Sequence, residues 1–102
     1  MQDINKEIEQ REKKVYAIKG QLESIQAQLT KNGEEMMAFR LVCPPPYDEQ
    51  KHADLLALAN AQRDLLLEYE KLGEVYEAEK KIFFDLQEQR IEILKQRIAQ
   101  QN

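Results

Sequence analysis

From Ile4 to Phe39 the chain returns to one helical stripe by alternating steps of four and three residues: Ile4, Ile8, Arg11, Val15, Ile18, Leu22, Ile25, Leu29, Asn32, Met36 and Phe39. Only Arg11 and Asn32 in that series are polar. A 4-3 spacing held in one phase over five heptads is the pattern of a helix laid against another helix, because it keeps one narrow seam facing a neighbour. It is incompatible with a strand, whose faces alternate every two residues. The favourable i,i+4 order of Glu9 and Lys13, and of Glu7 and Arg11, adds local support.

Two glycines lie inside this stretch. Gly20 costs a helix roughly 1 kcal/mol relative to alanine, which a long packed helix tolerates. Asn32-Gly33 resembles a helix stop, but the apolar phase continues through it to Met36 and Phe39. The spacing therefore predicts one helix over 1–42, continuous or kinked at 32–33. Pro44, Pro45 and Pro46 then forbid helix, since none has an N–H and each holds the preceding residue extended. The loop is expected over 43–47, with Asp48 as N-cap and Glu49 in the first turn of a second helix over 48–102.

The second segment reads Leu55, Leu58, Gln62, Leu65, Tyr69, Leu72, Tyr76, Glu79, Phe83, Leu86 in one phase. Beyond it, steps through Phe83, Gln87, Ile91, Leu94 and Ile98 predict a shifted stripe nearer 3.67 residues per turn. Ile82, Phe84 and Ile93 widen the apolar face, and the run Leu65-Leu66-Leu67 cannot serve a single neighbour. The expected fold is all-α: an antiparallel two-helix hairpin of coiled-coil type with a proline-rich apex.

Folding at the prolines sets residue i opposite roughly residue 90 − i if both arms are regular helices. Met1 then lies near Gln89, and 90–102 forms an overhang carrying Ile91, Ile93, Leu94 and Ile98. Apolar side chains on an unpaired overhang call for a second chain, so a homodimer closing into a four-helix bundle is expected. Phe83, Phe84, Ile91, Leu94 and Ile98 are the expected self-association residues. The same register brings Arg11 opposite Glu79. With Asn32, which has Gln62, Lys51 or its own symmetry mate as candidate partners, this pair is expected to set the register, because polar groups in a seam penalise misalignment.

Other chemistry finds little support. Charged residues make up 33% of the chain and its net charge is −4, with no basic stripe to displace counterions from nucleic acid. Nine acidic and three basic side chains fall in 48–79, whereas 1–42 is balanced. No apolar run is long enough to span a membrane. The N-terminal MQDINKEIEQ lacks the apolar core of a secretory signal. A lone Cys43 has no disulfide partner within the chain, which points to a reducing, cytoplasmic setting. Glu49 and His52 have the Glu-x-x-His spacing of carboxylate-bridged metal bundles, but such sites need a second pair and further carboxylates. Cys43 lacks the paired base of a nucleophilic site. Neither an enzyme, nor a metal site, nor any cofactor is expected.

Tyr16, Tyr69, Tyr76, Phe83 and Phe84 read as packing aromatics. Pro44, Pro45, Pro46 and Tyr47 match the Pro-Pro-x-Tyr motif read by WW domains, a possible docking loop, yet three prolines ending one helix before Asp48 starts the next account for them as a bend. The expected function is that of a self-associating scaffold, adaptor or assembly protein working through protein–protein contact. The alternatives are a small helical chaperone for a secreted or assembling partner, or a segment of a longer coiled coil.

Overall fold

The computed structural model describes residues 2–101, and Met1 and Asn102, at the outer limits of the two expected helices, lie outside it. Helix α1 runs Gln2–Val42 and helix α2 runs Glu49–Gln101, with no strand among the described residues. The continuous phase of α1 is matched by a continuous helix, so Asn32-Gly33 neither ends nor interrupts it. No glycine takes a positive φ.

The link spans 43–48, one residue longer than expected at its C-terminal side, because Asp48 caps α2 from outside it. The Lys51 N–H donates to Asp48 Oδ1 at 2.8 Å, and the His52 N–H donates to the Asp48 carbonyl at 2.9 Å. An aspartate there satisfies an otherwise orphaned N–H and contributes about 1 kcal/mol to the helix. At the other side, the Cys43 N–H closes the last turn of α1 on the Phe39 carbonyl at 2.8 Å.

The contacts divide the chain into two compact units, Met1–Gly20 with Gly73–Asn102, and Gln21–Leu72. In the first unit, Ile8, Val15 and Ile18 are buried, and α2 supplies the half-buried Tyr76, Phe83, Leu86 and Ile93. In the second, Ile25 and Asn32 are buried among a seam of half-buried Leu22, Leu29, Met36 and Phe39 from α1. Leu55, Leu58, Leu65, Tyr69 and Leu72 are its α2 complement. Within each unit the contacts run in the antiparallel sense, consistent with a helical hairpin: Arg11 meets Glu79 in one, and Met36 and Arg40 share a groove with Leu55 and Leu56 in the other.

The expected stripe shift near the end of α2 does not govern these contacts. The half-buried series continues in heptad phase through Phe83, Leu86, Arg90 and Ile93, while Ile91, Leu94 and Ile98 stay exposed. Arg90 holds the phase despite its charge: it is half-buried, and an arginine stem can cover apolar surface while its charged head stays in water. Two apolar stripes lie one residue apart on α2, and only one of them faces α1.

Burial is unequal between the helices. Among the described residues, the four buried apolar side chains all belong to α1, and none of α2 is buried. Of the large apolar residues left exposed, those on α2 outnumber those on α1 by about two to one. The surplus surface is on α2.

Candidate functional site

Along the Gly73–Asn102 part of the first unit, Phe84, Ile91, Leu94 and Ile98 are 51%, 49%, 42% and 61% exposed. With Gln87 between them they form a second heptad stripe, displaced by one residue from the stripe that packs on α1. One residue on a helix is a rotation of about 100°. The two stripes therefore look in different directions, and the outer one is left about half exposed. Phe83, grouped with these residues in the sequence, belongs instead to the inner seam and touches Phe84 with ring centroids 5.8 Å apart.

Next to Phe84 a groove of about 270 Å³ opens between the helices of this unit. Its lining includes Tyr16, Tyr76, Phe83 and Phe84, with the charged Glu12, Lys19 and Lys80. Lys80 Nζ lies 5.3 Å from the centre of the Tyr76 ring, a cation–π arrangement that pins the ammonium over the aromatic face. Tyr16 is 63% exposed. It and Phe84 are not packing aromatics, in contrast to Tyr69, Tyr76 and Phe83, which are half-buried. The heptad phase carried the signal, since Tyr16 follows the seam residue Val15 and is off the stripe.

In the same unit Arg11 Nη1 donates to Glu79 Oε2 at 2.7 Å, and Lys14 Nζ approaches Glu79 Oε1 at 3.5 Å. The Arg11 hydrogen bond is the main reason the Glu79 carboxyl is held below the usual glutamate value; partial burial works the other way, and the Lys14 charge adds to the lowering. The other polar seam residue, Asn32, is 8% exposed, and its Oδ1 accepts no protein hydrogen bond. Gln62 Oε1, in the same unit, is also without a donor, so Asn32 is paired with neither Gln62 nor Lys51 through that oxygen.

At the link, Pro44, Pro45 and Pro46 are exposed, but the Tyr47 ring is half-buried, 5.8 Å from Phe39. A reader of this segment through its tyrosine has to displace that contact. Cys43 is a free, half-buried thiol. Glu49 and His52 sit exposed in the first turns of α2, and among the described residues no three His, Cys, Asp or Glu side chains converge to hold a metal ion. No described helix is long and apolar enough to cross a membrane. No family model matches the chain, and no curated protein or solved structure matches it significantly.

Proposed function

We propose that this chain is a non-enzymatic helical-hairpin scaffold or adaptor that associates with itself, the proline segment forming the hairpin apex. A two-fold dimer then makes a four-helix bundle over part of its length. The carrying observation is the outer stripe of α2: Phe84, Ile91, Leu94 and Ile98, exposed together at heptad spacing on a helix whose inner stripe is already used. A lone exposed leucine needs no explanation, but a row in phase along one helix is what a partner helix covers. The single Cys43 fits a reducing, cytoplasmic setting.

Full burial of four such side chains is worth roughly 6–12 kcal/mol in transfer terms. They are already about half covered, so each chain contributes about half of that, against an association cost of about 4–15 kcal/mol. The stripe by itself gives a weak dimer. Light scattering over about a hundredfold concentration range is the test. The expected mass is that of two chains, falling toward one on dilution, and Leu94→Asp shifts it to one chain while circular dichroism keeps its helical signal. A one-chain mass at every concentration sinks the proposal.

A chaperone reading has one observation in its favour. Met37, Leu41 and Val42 at the end of α1 are exposed apolar residues in the unit whose groove holds Met36, Leu55 and Leu56. Flexible, Met-rich surfaces accept varied partners. That reading requires dye binding by the free protein to be lost on Leu41→Asp.

A further inference from the structure

The four side chains of the outer stripe, each about half exposed, offer on the order of 400 Å² at typical side-chain areas. A stable interface buries about 800 Å² per partner. More of this unit has to take part, and the surface contiguous with the stripe is the aromatic groove, where exposed Phe84 and Tyr16 share a wall. Tyrosine is among the residue types that anchor protein interfaces.

Resting on the self-association reading above, we infer that a second copy of this chain lays its α2 antiparallel along the Phe84–Ile98 stripe, so that the last turn of that helix comes level with Phe84 at the edge of the groove. The outer stripe, in heptad terms, has Phe84, Ile91 and Ile98 at a and Gln87 and Leu94 at d. An antiparallel pair sets a against d, which puts Ile91 opposite Leu94 of the second copy and Gln87 opposite its Ile98.

The flanking charges choose the direction. In that antiparallel register Glu88 faces Lys95 of the second copy, twice by symmetry. On the other flank Arg90 faces Arg97, also twice by symmetry, so the flanking charges of the antiparallel pair come out even. In a parallel pair Arg90 meets Lys95 twice, with no opposite-charge pair in return, since Glu88 then faces Phe83. Lys95 is available for the exchange: it is exposed, and its present contact is a 3.7 Å pair with Glu92 one turn away.

The test is crosslinking in a Cys43→Ser background. Gln87→Cys and Ile98→Cys chains, mixed and oxidised, are expected to give a mixed disulfide dimer. Ile98→Cys alone is expected to give none, because in the antiparallel register the two copies of residue 98 are about 16 Å apart along the helix axis. Efficient linkage of Ile98→Cys to itself overturns the antiparallel arrangement and leaves the self-association reading intact. A one-chain mass for the Cys43→Ser protein overturns both.

Lys95→Glu supplies an independent sign that does not depend on a cysteine being tolerated. It weakens an antiparallel dimer several-fold, by turning both Glu88 pairs repulsive, and strengthens a parallel one by pairing with Arg90. Strengthening therefore overturns the inference. Phe84→Ala is expected to raise the dimer dissociation constant about tenfold without loss of helical signal; an unchanged constant removes the groove edge from the interface.

Discussion

Arg11 occupies a seam position that its neighbours fill with isoleucine and valine, and it does so without leaving a buried charge unpaired. Its guanidinium reaches Glu79, a carboxylate only 14% exposed, which Lys14 also approaches. The contact was legible in the sequence because Arg11 and Glu79 interrupt their apolar series at positions that an antiparallel register opposes. Its consequence is a pH dependence with a definite sign. Glu79 titrates lower folded than unfolded, so its contribution is complete above the unfolded-state value and is lost as pH falls through the folded-state one. Thermal melts of the protein and of Glu79→Gln between pH 7 and pH 3 are expected to show the unmodified chain ahead at neutral pH, with the gap closing in acid. A gap that stays constant rules out titration of Glu79 as its source. Tyr16 and Phe84 were less legible, since aromatic identity argues for packing while heptad phase puts them off the seam. Phase decided.

At the scale of the helix, α1 follows its spacing without exception. Every position of its 4-3 series from Ile4 to Phe39 is buried or half-buried, including Asn32 beside Gly33. The tertiary seam outweighs the local stop signal there. For α2 the spacing left two answers one residue apart. Phe83-Leu86-Arg90-Ile93 contains an arginine, and the other stripe, through Ile91, Leu94 and Ile98, is the more apolar at its end. Hydrophobicity alone favours the second, but contact with α1 continues the phase already set by Tyr76 and Phe83. The glycines of the helices give a direct test of local energetics. A methyl group added at Gly20 meets nothing within 4 Å, and the position is exposed and helical. Gly20→Ala is therefore expected to stabilise the chain by about 0.5–1 kcal/mol, through helix propensity and a less disordered unfolded chain. The readout is a melting midpoint raised by a few degrees; a lowered midpoint means that this glycine is needed for an approach by another helix.

For the molecule as a whole, a repetitive apolar seam has a problem that no single contact solves: many registers and partners fit it almost equally well. A polar residue buried in the seam is one remedy, costing stability in the intended structure and more in structures that bury it against a worse neighbour. Asn32 has the features of such a residue, being 8% exposed with an oxygen that accepts no protein hydrogen bond. Leaving a buried carbonyl unsatisfied costs about 1–3 kcal/mol. Asn32→Leu is accordingly expected to raise the melting midpoint while broadening the mass distribution seen by light scattering, as alternative pairings become competitive. Gln62→Leu, which removes the second unsatisfied oxygen of that unit, should act in the same direction. The two readouts separate the causes: greater stability with a single sharp mass means that Asn32 taxes the fold without selecting among assemblies. Lower stability means that its amide makes a hydrogen bond the folded chain depends on, and the selecting role passes to the charged pair at Arg11 and Glu79.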